Sequence, residues 1–138
     1  MEEFNSLAKD LTDGLIALHQ AGITHNDIRP CNIFYSLEKN CYQIGTFSNA
    51  LKTSNGFAPT GLKVLKNFSD PDMGKTKEEN LFYSDIYSLG MTLLCAFYLC
   101  EPIKKENLED YSEINEEKYE ILKVIRKMVM PIEKRKRL

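Results

Sequence analysis

Five polar side chains, His25, Asn26, Asp27, Arg29 and Asn32, fall within eight consecutive residues of this 138-residue chain. An imidazole, a carboxylate, a guanidinium and two amides crowded together make a poor core, because every buried polar group needs a hydrogen-bonding partner. Lying between two apolar segments, they have the composition of a site that faces a ligand. The local alternative is that Asp27 and Asn32 only cap turns through backbone hydrogen bonds. The cysteines suggest no zinc centre: Cys31, Cys41, Cys95 and Cys100 form no Cys-x-x-Cys pair and have little histidine around them. Neither zinc nor a disulfide framework is expected from that spacing, and reduced thiols fit an intracellular protein.

Several elements must position this cluster. Phe4, Leu7, Leu11, Leu15 and Leu18 recur at three- and four-residue spacing, which predicts an amphipathic helix over residues 3–20. Gly22 follows as its stop, since glycine takes the left-handed cap without steric cost. After the cluster, Asn32–Ser36 and Cys41–Gly45 alternate as two short strands around a Leu37–Asn40 turn. A polar loop followed by a hairpin is a layout that presents side chains to a ligand. Residues 52–61, rich in Gly, Pro, Ser, Thr and Asn, read as loop. Residues 83–100 are apolar almost all round beyond their first turn, which predicts a buried helix. Ser84 or Asp85 is placed to cap it, Gly90 to allow close helix packing, and Cys95 and Cys100 to serve as core thiols. Residues 101–115 are charged, and Ile121, Val124, Ile125 and Met128 mark a last amphipathic helix within 116–130.

Composition narrows the class. A length of 138 residues with 43% hydrophobic and 28% charged residues suits one globular domain, residues 1–138. A net charge of −2 gives no electrostatic case for nucleic acid or a membrane surface as partner. No signal peptide is expected from the acidic, polar start. The longest apolar run, Leu89 to Cys100, has 12 residues, short of the roughly 20 a bilayer span needs. The chain closes on Glu133-Lys134-Arg135-Lys136-Arg137-Leu138. That basic tail reads either as a nuclear-import or acidic-partner patch or as a solvated helix end. The expected location is intracellular, in the cytoplasm, with the nucleus as the other option.

His25-Asn26-Asp27-Ile28, with Asn32 five residues beyond the Asp, resembles the His-Arg-Asp-Leu-x-x-x-x-Asn catalytic loop of eukaryotic protein kinases. Arg29-Pro30 stands where serine/threonine kinases carry Lys-Pro. Thr46-Phe47-Ser48 is similar in place to the family's metal-binding Asp-Phe-Gly, and Tyr83–Leu94 resembles the buried central helix of the kinase C-lobe. The resemblance implies a mainly α fold: a kinase-like C-terminal lobe, a helical bundle with one small β-hairpin. It also implies roles. Asp27 would be the catalytic base that takes the substrate hydroxyl proton, and Asn32 would bind magnesium and ATP phosphates. Arg29 would sit by the transferred phosphate, although its planar fork is not equivalent to an ammonium. Thr46 would stand at the cofactor-binding position. His25 would pack and hydrogen-bond, and Asp85 would hold the catalytic-loop backbone and link it to His25. Asp70-Pro71-Asp72 stands for Ala-Pro-Glu, so Asp72 would pair with a buried arginine, for which Arg135 is the candidate; both as solvated charges is the alternative.

Departures from the pattern shape the functional expectation. Asn26 replaces the arginine that meets a phosphorylated activation loop by bidentate charge pairing, which an amide cannot supply. Thr46 replaces a carboxylate, and magnesium is held by one or two carboxylates plus phosphate oxygens. Phe47 is kept, and packing in the core is its expected role. The glycine-rich loop, the strand lysine and the lysine's helix partner have no counterpart in these residues, so the N-lobe is expected to be absent. The family activity is ATP- and magnesium-dependent transfer to Ser or Thr of a protein substrate. The expectation for this chain is a truncated or degenerate kinase with little activity by itself. The alternative is a pseudokinase that binds a protein partner through the apolar surface an N-lobe would cover.

Overall fold

The computed structural model describes residues 2–53, 70, 80–98, 120–130 and 138. Helix α1 (Glu2–Gln20) carries Glu2 and Glu3 in its first turn, where carboxylates complement the helix dipole. Its buried stripe is Ala8, Leu11, Leu15 and His19, with Phe4 and Leu7 leaning on the same core. The helix ends as Gly22 turns to φ +73° and donates its N–H to the His19 carbonyl at 2.9 Å. A Cβ there would sit 3.0 Å from the Thr53 carbonyl oxygen, so the stop is also a point of close chain approach.

Two antiparallel pairs follow. Strands β2 (Ile33–Ser36) and β3 (Cys41–Ile44) form the expected hairpin, with Ile33 opposite Ile44 and Tyr35 opposite Tyr42. Asn40 completes its turn at φ +52°, a left-handed conformation that Asn tolerates. Asn32 does not begin the strand as expected. It closes a single 3₁₀ turn, Pro30–Asn32, entered through proline's fixed φ. The second pair joins β1 (Ile23–Thr24) to β4 (Leu51–Lys52), Thr24 facing Leu51. Lys52, expected in a loop, is therefore paired, because the chain returns beside the end of α1; residues 54–61 lie outside the described residues.

Helix α2 (Asn80–Tyr98) is the central element, with Leu81, Phe82, Ile86, Tyr87, Leu89, Met91, Leu93 and Leu94 all buried. It starts at Asn80, not Tyr83, so Ser84 and Asp85 lie beyond its first turn and cap nothing. Cys95 is only half-buried, and Cys100 lies outside the described residues. Helix α3 (Glu120–Met128) packs on α2 through Leu122, Ile125 and Met128. Val124, expected on that apolar face, is 48% exposed. At 100° per residue it sits about 200° around the helix from Leu122, the residue that takes its place in the core. Residues 116–119 lie outside the described residues. The architecture is thus mainly helical with two small antiparallel pairs. Among the described residues, no helix is long and apolar enough to cross a membrane.

Candidate active site

The polar loop is hung from Asp85, a carboxylate buried on α2. Its Oδ2 accepts the His25 main-chain N–H at 2.8 Å, and its Oδ1 accepts the Asn26 main-chain N–H at 2.8 Å. His19 on α1 donates from Nε2 to the same Oδ2 at 3.0 Å. A buried carboxylate needs such donors, and here three converge on it from the end of α1 and the loop just after it. His19 was missed in the sequence, although the signal was present. A polar residue on the stripe Ala8–Leu11–Leu15–His19 must find a buried partner.

His25 is fully buried, and its two ring nitrogens have fixed tasks. Nδ1 accepts the Asp27 main-chain N–H at 3.1 Å, so the proton sits on Nε2, which donates to the Gly45 carbonyl at 2.7 Å. The ring thereby ties the loop to the residue just before Thr46, a positioning task with no free nitrogen for proton transfer. Phe47 meets the His25 ring edge-on at 5.3 Å between centroids. It is 51% exposed, which corrects the expectation of a core residue. Beyond that contact the ring lines a groove of about 650 Å³ between α1 and β3, with Ala17, Leu18, Ala21 and Ile44. On the same wall, desolvation and then the hydrogen bond to Glu3 push the Tyr42 phenol above its usual pKa.

Asp27, Arg29 and Asn32 meet directly. Asn32 is 4% exposed, and its Nδ2 donates both to the Asp27 carbonyl at 2.8 Å and to Asp27 Oδ2 at 2.9 Å. Arg29 Nε lies 3.0 Å from Asp27 Oδ1 but is not aligned along it, so the contact is a charge pair and not a directed hydrogen bond. The Asp27 side chain keeps 13% exposure and the Arg29 side chain 36%. A carboxylate oriented by an amide and flanked by a guanidinium is arranged to accept a proton beside an anionic group. With both Nδ2 protons committed to Asp27, Asn32 Oδ1 is the oxygen left for a cation; its neighbour is the weak Cys31 thiol donor at 3.8 Å.

Thr46, at the position where the family pattern has a metal-binding carboxylate, is exposed and brings a neutral hydroxyl. Among the described residues, no group of three His, Cys, Asp or Glu able to hold a metal occurs. Asp72 and Arg135, expected as a scaffold ion pair, lie outside the described residues. Asp70, two residues before Asp72, is described: it is buried and accepts the Ser84 hydroxyl at 3.1 Å, a contact the sequence pattern did not suggest.

Comparison with known proteins places the sequence in a family. The profile of the protein kinase domain matches residues 1–137. The chain is 30% identical over 109 residues to the serine/threonine-protein kinase TOS3 of Saccharomyces cerevisiae, covering 70% of this chain and 19% of that protein. It is 30% identical over 135 residues to the serine/threonine-protein kinase ELM1 of the same yeast, covering 80% of this chain and 20% of that protein. The probable serine/threonine-protein kinase FMP48, also of that yeast, is 25% identical and covers 94% of this chain and 40% of its own length. The chain therefore spans about a fifth of TOS3 and ELM1. With a catalytic-type loop braced by a central-helix carboxylate and a family match over nearly its whole length, this chain belongs to the protein kinase family.

Proposed function

We propose that residues 1–138 are the catalytic-loop-bearing C-terminal lobe of a serine/threonine-type protein kinase domain that keeps its proton-accepting side and has lost part of its metal-binding side. In this reading Asp27 takes the proton from a protein Ser or Thr hydroxyl, Asn32 holds Asp27 in orientation, and Arg29 faces the transferred phosphate. ATP and magnesium are the family's cofactors. The observation that carries the reading is the contrast between an intact Asp27–Asn32–Arg29 arrangement and a neutral, exposed Thr46. Phosphoryl transfer depends on positioning and charge stabilisation, so loss of one metal carboxylate leaves the loop shape in place with little turnover. A second reading, a protein-binding module without catalysis, is favoured by the exposed Phe34, Tyr35 and Leu37 of the hairpin.

The test uses the full-length protein and follows Tm with and without Mg-ATP, together with phosphate incorporation into a basic protein substrate. The wild type should show no magnesium-dependent rise in Tm. Thr46→Asp should gain one, since a ligand present at about 100 times its Kd stabilises the native state by about 2.7 kcal/mol. Adding Asp27→Asn to that variant should keep the Tm rise and abolish incorporation. Wild-type phosphorylation that depends on Mg-ATP and vanishes with Asp27→Asn overturns the degenerate-site reading. A Thr46→Asp protein that stays silent in both assays favours the binding module.

A further inference from the structure

Helix α1 carries a second face that the core does not use. Asp10, Asp13, Gly14, Ala17 and Leu18 recur at three- and four-residue spacing and so share one side of the helix, with Ala21 just past its end. They form one wall of the groove whose other wall is β3 and Phe47. Leu18, placed on the core stripe by its spacing, is only half-buried and lies on this face, beside the exposed Ala17. Gly14 shapes the floor. It sits in the interior of α1, where glycine is a poor helix former, and a Cβ there would meet nothing within 4 Å among the described residues. No described neighbour requires a glycine at that position. What its bare backbone leaves is open space that an outside chain can approach closely.

The groove is also polarised. Among its described lining residues the charged ones are Asp10 and Asp13, both carboxylates, and both lie at the end toward the start of α1. The opposite end is apolar, with Ala17, Leu18, Ile44 and the exposed Phe47. Asp13 keeps 59% side-chain exposure and meets Lys9 at 2.7 Å, a surface ion pair that another cation can replace at small cost. Asp10 Oδ2 accepts the Tyr42 main-chain N–H at 3.0 Å, which fixes that carboxylate at the rim. From Asp10 to Ala21 the helix rises about 16 Å, the length of about five residues of extended chain.

We propose that this groove docks a short extended segment of a partner protein, which sets a Lys or Arg against Asp10 and Asp13 and lays apolar side chains over Gly14 against Leu18 and Phe47. The acidic end selects a basic residue and rejects an acidic one, and the apolar end supplies the buried area. The docking goes beyond the kinase reading above. The groove contains none of Asp27, Arg29 and Asn32, and its readout is peptide binding with no nucleotide present.

The experiment is fluorescence anisotropy on the full-length protein without nucleotide, with dye-labelled peptides as probes. Lys-Arg-Ser-Leu-Ile should bind saturably below about 1 mM and more weakly as salt is raised. Glu-Glu-Ser-Leu-Ile and Lys-Arg-Ser-Ser-Ser should each bind at least about tenfold more weakly. Asp13→Lys reverses an exposed charge and Gly14→Met puts a side chain into open space, so both should keep a Tm close to wild type and lose about tenfold in affinity. The proposal is overturned if no peptide binds, if the three peptides bind alike, or if either folded variant binds Lys-Arg-Ser-Leu-Ile as wild type does. Gly14→Cys reports what covers the groove in the intact protein. Its thiol, located by peptide mapping after a brief maleimide pulse, should label as fast as an exposed cysteine. A thiol shielded at every protein concentration means that a segment of the same chain fills the groove, and one shielded only at high concentration means that a second copy does; either result overturns the proposal.

Discussion

Among the described residues, three non-glycine residues take positive φ: Asn26 at +67°, Asn40 at +52° and Thr46 at +58°. Two are asparagines, whose short amide side chain suits the left-handed region. Thr46 is β-branched and is strained there. By resemblance the sequence set Thr46 where the family pattern has a carboxylate, but it gave no sign of this strain. The conformation is imposed from both sides, by the His25–Gly45 hydrogen bond just before it and the Asn26–Asn49 hydrogen bond just after. Thr46→Asn should therefore stabilise the protein by about 1 kcal/mol, read as a higher Tm with no ligand present. An unchanged or lower Tm would mean that the threonine methyl or hydroxyl makes compensating contacts. Asn32 shows the opposite case: its type and spacing pointed to the site, and it does meet Asp27, but from a 3₁₀ turn and not from the strand expected for it.

Among the elements, helix α1 was legible because its apolar spacing is that of a one-sided stripe packed on a core. Helix α3 was legible in kind and not in face. Val124 and Leu122 are equally apolar, and only the approach of α2 decides that Leu122 turns inward. At Gly90 the α2 backbone packs closely on the end of α3: a Cβ there would lie 2.8 Å from Met128 Cβ and 2.9 Å from Val129 Cγ1. Gly90→Ala should thus force α3 outward. The overpacking penalty of about 1–3 kcal/mol exceeds the helix-propensity gain of about 1 kcal/mol, giving a net loss near 1 kcal/mol. A urea midpoint measures it, and a rise in the midpoint would show that α3 relaxes freely.

The whole molecule is coupled at Asp85. It joins His19 on α1 to the backbone of His25 and Asn26, so the α1 end and the polar loop share one buried carboxylate supplied from about sixty residues away on α2. Asp85→Ala would leave two main-chain N–H groups and the His19 ring without their acceptor. The expected loss is about 3–5 kcal/mol. Hydrogen exchange should show the loop opening along with the global melt; a loss under about 1 kcal/mol would mean that water replaces the carboxylate. By itself the sequence determined the order of the blocks, the helical stripe of α1, the buried character of α2 and the polar make-up of the loop. These follow from residue type and period, which are local properties. Only the tertiary structure decided that His19 is bound to Asp85, that Phe47 lies at the surface, that β1 pairs with β4 and that the Asn26 amide meets the Asn49 carbonyl. Each depends on which groups separated by many residues come within hydrogen-bonding or van der Waals distance, and chain spacing carries no record of that.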